Sequence, residues 1–272
     1  MPVKTVGIIA GAGQLPALGA QAARELGWDV VAVRVVPEAA DLAGHARLCR
    51  DIPFTRYGDV LQALAAAGVR DVYLMGKLPR TAVHARDLDE AAQQVLSRVA
   101  ARGDHALLAA LVQDMAQRGF VVRPQTELLA RFLAPVGWAA GRPPSEREWA
   151  DIRYGFEIAA LLADKVDAGQ TVVVKDGVVL ALEAAEGTDE TIRRGGRLGG
   201  PGAVVVKVKG RRPLDFELPA VGHDTLDALL EAGAATLALE AGRVLLLDAE
   251  GLAARAAQAG LAIVAMERSE RP

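Results

Sequence analysis

Cysteine is almost absent from this 272-residue chain. Cys49 stands alone, so no intramolecular disulfide can form, and a reducing cytoplasm is the expected compartment. Histidine is nearly as scarce. Four scattered residues (His45, His84, His105 and His223) and one cysteine cannot supply a zinc site of ordinary spacing. A metal, if the chain uses one, must be a hard cation held by carboxylates. Aromatic residues make up 4%, so Ala, Val and Leu must do the packing in a composition that is 51% apolar. No run of eighteen apolar residues occurs, which excludes a membrane-spanning helix. The opening MPVKTVGIIAG lacks the apolar stretch and cleavage site of a signal peptide and reads as a first strand. The net charge of −3 gives no electrostatic footprint for nucleic acid.

What is present divides near the middle. Residues 1–133 alternate strand and helix, the pattern of a parallel sheet with helices on both faces. Val6–Ala10 is a strand, and Gly11-Ala12-Gly13-Gln14-Leu15-Pro16 a glycine turn. Leu15, Leu18, Ala22 and Leu26 then recur at helical spacing until Gly27. Val30–Val36 and Asp71–Met75 read as strands, Tyr57–Ala67, Leu88–Val99 and Ala106–Gln117 as helices, and Phe120–Arg123 as a closing strand. Ala134–Ser145, with three prolines and two glycines, reads as a linker, placing a boundary zone over 134–149. Residues 150–272 form a mixed α/β unit. It opens on a long helix with Ile152, Phe156, Ala159, Ala163 and Val166 on one stripe. A hairpin over Val172–Leu182 follows, its turn announced by Asp176-Gly177. Thr236–Leu239 and Arg243–Leu247 read as strands around Glu240-Ala241-Gly242.

Several residues carry chemistry. The strand, Gly11-x-Gly13, helix order suits an anion at a helix N-terminus. Pro16 occupies the position of the third glycine of the dinucleotide fingerprint, which disfavours a nicotinamide cofactor. No Gly-Lys-Ser/Thr follows, which excludes a nucleoside-triphosphate P-loop. The bland alternative is a tight turn that binds nothing. Lys77 and Arg80 follow Asp71–Met75 directly and reach the sheet edge where ligands bind in open α/β folds, or they are solvated loop charges. Asp104 opens the helix after Gly103 and reads as its N-cap. Glu183, Glu186 and Asp189 end the hairpin's second strand, a place to hold a divalent cation; Thr188 or Asp189 is equally a plain helix cap. Lys207 interrupts the apolar run Val204–Val208, where an edge strand defended by lysines is the simpler account. Glu217 lies in an extended segment among apolar neighbours and reads as a carboxylate facing a cleft. No Ser/His or Cys/His arrangement for a nucleophile is evident.

Taken in order, these segments resemble one family. It is the two-domain, magnesium-dependent UDP-2,3-diacylglucosamine pyrophosphatase of lipid A biosynthesis, unrelated to the calcineurin-like metallophosphoesterases of the same activity. The matching residues are Gly11 to Pro16, Gly76-Lys77 with Arg80, Gly103-Asp104 with Ala106-Leu107-Leu108, and Asp151-Ile152 with Gly155. Asp167 with Gly169-Gln170, Asp176-Gly177, Glu186 to Asp189, Lys207, and Leu218-Pro219 with Gly222 complete the collinear set.

The resemblance implies a Rossmann-like N-terminal domain and a separate mixed α/β C-terminal domain. It implies hydrolysis of the lipid-linked UDP-sugar to UMP and 2,3-diacylglucosamine 1-phosphate, with the ligand held between the domains. It implies Mg2+ or Mn2+ on Glu186, Asp189 and Glu217, and catalysis by Glu217, Asp189 and Lys207. Substrate contacts fall to Gly11, Gly13, Gln14, Leu15, Lys77, Arg80, Asp104 and Thr188. A peripheral contact at the inner face of the cytoplasmic membrane and a homodimer are further expectations. The family carries Asp-hydrophobic-Pro where this chain has Glu217-Leu218-Pro219, which keeps the charge and adds one methylene. Thr191–Pro201 is glycine-rich where the family is helical. Two alternatives stay open: a nucleotide- or lipid-binding protein without turnover, and a nucleotide-dependent enzyme such as a reductase.

Overall fold

The computed structural model describes residues 3–78, 85–99, 104–166, 168–211 and 216–268. The chain packs as two compact units. The first runs to Ala130 and takes back Phe216 and Glu217 from much later in the chain; the second holds the rest.

The first unit contains, in chain order, β1 (Thr5–Ala10), α1 (Leu15–Glu25), β2 (Asp29–Arg34), β3 (Leu48–Asp51), α2 (Tyr57–Ala66), β4 (Asp71–Met75), α3 (Glu90–Ser97), α4 (Asp104–Gln117), β5 (Val121–Val122) and α5 (Thr126–Leu129). All of its strand pairs are parallel, in the order β3-β2-β1-β4-β5. This is the Rossmann half-order, and the order of connection reverses between β1 and β4. The short β3 escaped sequence reading because Leu48–Asp51 holds only two apolar residues. Helix α1 sits where its spacing places it, but its buried face is Pro16, Gly19, Ala20, Ala22 and Ala23. Leu26, assigned to the apolar stripe, is exposed. Small residues win because a Cβ on Gly19 would stand 2.1 Å from the Met75 sulfur: the helix lies too close to β4 for anything larger.

The second unit contains β6 (Ala139–Gly141), α6 (Glu146–Leu161), β7 (Thr171–Lys175), β8 (Val178–Leu182), α7 (Thr188–Gly199), β9 (Val204–Lys207), β10 (Ala220–Val221), α8 (His223–Glu231), β11 (Thr236–Glu240), β12 (Leu245–Leu246), α9 (Ala249–Ala259) and β13 (Ala262–Met266). Its main sheet runs β6-β13-β11-β9-β7-β8. Strands β9, β11 and β13 are parallel; β6, β7 and β8 pair antiparallel to their neighbours. The apolar strands are explained by burial of both faces. Val173, Val205, Leu237 and Ile263 pack with Ile192, Leu226 and Leu252 on one side. Val172, Val174, Val204 and Val206 pack under Ile152 and Phe156 of α6 on the other.

The Pro- and Gly-rich stretch carries structure of its own. Ala134 is fully buried, β6 pairs with β13, and Ser145 closes a capping box with Glu148 at the start of α6. Arg243–Leu247 differs from its sequence reading. Leu245–Leu246 pairs in parallel with Ala220–Val221 in a separate two-stranded sheet, so no hairpin forms around Gly242.

The hairpin is as read. Asp176 and Gly177 both have positive φ, 56° and 75°, the two left-handed residues that a type I′ turn requires. Asp151 of α6 fixes it from outside: its two carboxylate oxygens accept the Asp176 and Gly177 amides, each at 2.8 Å. The glycine-rich Thr191–Pro201 is helical through Gly199. A Cβ on Gly195 would lie 2.6 Å from Val173, one on Gly196 2.7 Å from Ala232, and one on Gly199 2.3 Å from Leu180. Those glycines let α7 lie directly on β7, β8 and the end of α8, and tertiary contact outweighs their poor helix propensity. No described helix is long and apolar enough to cross a membrane.

Candidate functional site

In the first unit the carboxyl ends of β1 and β4 carry two loops joined backbone to backbone. The Gly11 amide donates to the Met75 carbonyl at 2.7 Å. Ala12 and Lys77 exchange hydrogen bonds in both directions, at 2.8 and 2.9 Å. A Cβ on Gly11 would sit 2.5 Å from the Lys77 carbonyl oxygen, and one on Gly76 2.7 Å from that of Ala12. Gly11 is therefore required by close approach of the two loops. Gly13 is required for a different reason, since φ is +93° and the space around a Cβ there is open. The amides of Gly11 and Ala12 are spent on the neighbouring loop, so a phosphate at this helix would meet Gly13, Gln14 and Leu15. Gln14 and Lys77 are exposed. Helix α1 starts after Gln14 with no side-chain cap, and Pro16 occupies its first turn, where a missing amide costs nothing. Arg80 lies outside the described residues, as do Gly103 and Asp167. Asp104 is the first residue of α4; its side chain is likewise outside.

In the second unit a polar cluster sits at the carboxyl end of β9, inside the main sheet. Lys207 ends β9, a central strand between β11 and β7. It is 4% exposed, so it does not defend a sheet edge. Its ammonium donates to the Thr188 hydroxyl at 2.6 Å and to the Thr171 hydroxyl at 3.2 Å. Thr171 is its register partner on β7. Thr188 in turn donates to Glu183 Oε1 at 3.2 Å, and Glu183 Oε2 accepts the Gln170 amide at 3.0 Å. Glu183 is buried, and so is Lys209, whose amide donates to the buried Glu240 at the end of β11. Burial raises the Glu240 pKa above its ordinary value, against the Lys209 amide and two nearby arginines.

Other residues singled out in the sequence are placed as follows. The N-cap of α7 is Gly187, so neither Thr188 nor Asp189 has that role. Glu186 is ion-paired with Arg194 and accepts from Thr191. Burial would raise its pKa, yet hydrogen bonds and Arg194 carry it below the usual range. It lines an open depression of about 490 Å³ with Ala184, Glu190, Arg194 and Arg197. Asp189 Oδ1 accepts from the Thr225 hydroxyl at 3.1 Å. Glu217 is exposed and belongs to the first unit, where its neighbour Phe216 packs on the core; Leu218, one residue on, is buried in the second. Among the described residues, no group of three or more His, Cys, Asp or Glu side chains is placed to hold a metal ion.

Comparison with known proteins covers nearly the whole chain. The model of the LpxI N-terminal domain matches residues 5–132, and that of the LpxI C-terminal domain matches residues 135–264. The curated UDP-2,3-diacylglucosamine pyrophosphatase LpxI of Caulobacter vibrioides is 31% identical over 99% of this chain and 100% of its own length. Among solved structures, N5-carboxyaminoimidazole ribonucleotide synthetase from Thermotoga maritima aligns with a TM-score of 0.28 at 14% identity, over 68% of this chain and 42% of that one. N5-carboxyaminoimidazole synthetase from Staphylococcus aureus gives 0.25 at 14%, over 64% and 41%. The chain spans less than half of either structure, and likeness of that size carries no argument.

Proposed function

Because this chain belongs to the LpxI family, we propose that it hydrolyses the pyrophosphate bond of UDP-2,3-diacylglucosamine. Water adds across one P–O bond, and the products are UMP and 2,3-diacylglucosamine 1-phosphate. The observation that carries this reading is end-to-end similarity to a relative named for that activity.

Phosphoryl transfer asks a protein chiefly for positioning and charge stabilisation, and each unit has groups suited to a part of it. In the first, the Gly13, Gln14 and Leu15 amides with Lys77 and Arg80 meet phosphate oxygens, and Asp104 contacts substrate. In the second, Lys207 balances negative charge as it develops, with the Thr188 hydroxyl accepting from its ammonium. Glu217 of the first unit and Asp189 of the second are the two candidates for orienting the attacking water. Magnesium fits these residues in one mode. The described residues make no all-protein cage, and Glu186 is already matched by Arg194. Magnesium commonly binds through one or two carboxylates plus substrate phosphates, and Asp189 or Glu217 is the carboxylate for that. When bound, the ion would neutralise phosphate charge. The acyl chains suggest peripheral membrane contact, which flotation with vesicles would register; sedimentation would report a homodimer.

The test is release of UMP from UDP-2,3-diacylglucosamine. Activity is expected to vanish in excess EDTA and return with magnesium. Turnover unchanged in EDTA removes the metal from the reading. Tight binding of the substrate with no UMP released would instead favour a binding protein, with Glu217 in place of the family aspartate as its cause.

A further inference from the structure

The cluster around Lys207 in the second unit has a direction. An ammonium only donates hydrogen bonds and an ionised carboxylate only accepts them. Thr188 lies between the two, 2.6 Å from the Lys207 nitrogen and 3.2 Å from Glu183 Oε1. Its single hydroxyl proton must therefore point to Glu183, leaving its lone pairs for Lys207. Thr171 donates to the Thr188 hydroxyl oxygen, at 3.4 Å. Glu183 is itself fixed. It is 5% exposed, its other oxygen holds the Gln170 amide, and its stem packs on Gly169, where a Cβ would come within 2.6 Å of Glu183 Cβ and 2.8 Å of Cγ. Gly169 lies against both the backbone carbonyl and the side-chain stem of Glu183, which gives the Gly169-Gln170 pair a physical purpose.

We propose that Glu183 is a positioning residue: by fixing the rotation of the Thr188 hydroxyl, it sets the orientation of the Lys207 ammonium. This inference rests on the pyrophosphatase reading for its consequence in turnover, not for the positioning itself. A negative charge buried next to a lysine meant for phosphate would weaken phosphate binding if it merely neutralised that lysine; interposing a hydroxyl keeps the ammonium directed while the carboxylate stays one residue removed. Losing Glu183 should thus lower kcat more than it raises KM, since an aimed charge matters most where charge develops.

The experiment has two independent readouts. The first is UMP release by folded variants. Glu183→Gln should lower kcat at least tenfold with KM changed less than about threefold. Thr188→Val should lose a similar factor, and Thr188→Ser, which keeps the hydroxyl, should lose less than Thr188→Val. The Glu183→Gln/Thr188→Val double variant should cost no more than the worse single change, as expected for residues acting through one path. Gly169→Ala, which keeps the Glu183 carboxylate but places a carbon 2.5 Å from the Glu183 carbonyl oxygen and 2.6 Å from its Cβ and so displaces that residue, should reproduce the loss. The second readout is the lysine ammonium NMR signal. The chain has six lysines, so the Lys207 signal can be assigned by Lys207→Arg. It should move in Glu183→Gln, Gly169→Ala and Thr188→Val, but not in Thr188→Ser. Parental kcat in Glu183→Gln, additive losses in the double variant, or a Lys207 signal that Glu183→Gln leaves in place overturns the proposal. If the parent releases no UMP, the pyrophosphatase reading fails, and the NMR signal still decides the positioning.

Discussion

Glu217 is exposed, and its apolar neighbours in sequence mark it as a carboxylate facing a cleft. Exposure bears on stability: a surface carboxylate typically contributes within about 0.5 kcal/mol, so a functional role can be separated from a structural one. Glu217→Gln is expected to leave the melting temperature unchanged and to lower UMP release by about 100-fold or more, the scale of a general base or water-positioning group. Glu217→Asp should keep more activity than Glu217→Gln. Parental turnover in Glu217→Gln would pass the role to Asp189. The two glycines of the first turn also separate by mechanism. Gly13→Ala meets open space and bears only the left-handed backbone, a cost of about 1–2 kcal/mol. Gly11→Ala places a carbon 2.5 Å from the Lys77 carbonyl and must part the two loops, at about 3 kcal/mol, the upper end of overpacking. Thermal unfolding should rank them in that order, and the Gly11 variant alone should also weaken UMP binding through displaced Lys77.

At the scale of elements, much of the fold was legible because local rules agreed with tertiary ones. Asp176-Gly177 announced the hairpin, and Gly27 and Gly68 stopped helices in left-handed conformations. What stayed hidden depended on partners distant in sequence. The glycines of α7 look like helix breakers until Val173, Leu180 and Ala232 are set beside them. Lys207 looks like an edge residue until β11 and β7 flank it. Thr171 carried no signal at all, since only strand register puts it opposite Lys207. The start of α6 yields a pH test. Arg142 hydrogen-bonds Glu148, which despite burial also takes the Ser145 amide, and its pKa falls from 4.5 to about 2. Because the folded value lies below the unfolded one, this contribution is fully present above about pH 4.5 and is lost as pH falls toward 2. Arg142→Met should flatten the dependence of melting temperature on pH across that window. An unchanged slope would show that the pair does not govern acid stability.

At the scale of the molecule, the family match and the two units divide the chain at nearly the same place, after Ala130 by packing and after residue 132 by family model. Yet the first unit is not a continuous stretch. Phe216 packs against the core formed by Val31, Val60, Leu64 and Val72, some 140 residues or more earlier in the chain. A protein is made from its N-terminus, and domains commonly fold as they emerge. Here most of the second unit must leave the ribosome before the first can complete its apolar surface. The early chain therefore waits, with part of its core uncovered, for a residue that arrives late. Nascent chains arrested before residue 217 has cleared the ribosome should be cut readily by protease within residues 1–130, and chains arrested after it should resist. The position of Glu217 beside Phe216 then acquires a temporal meaning: the proposed water-orienting carboxylate is delivered by the same event that seals the first unit, so no partly synthesised chain can be both unsealed and complete in its chemistry.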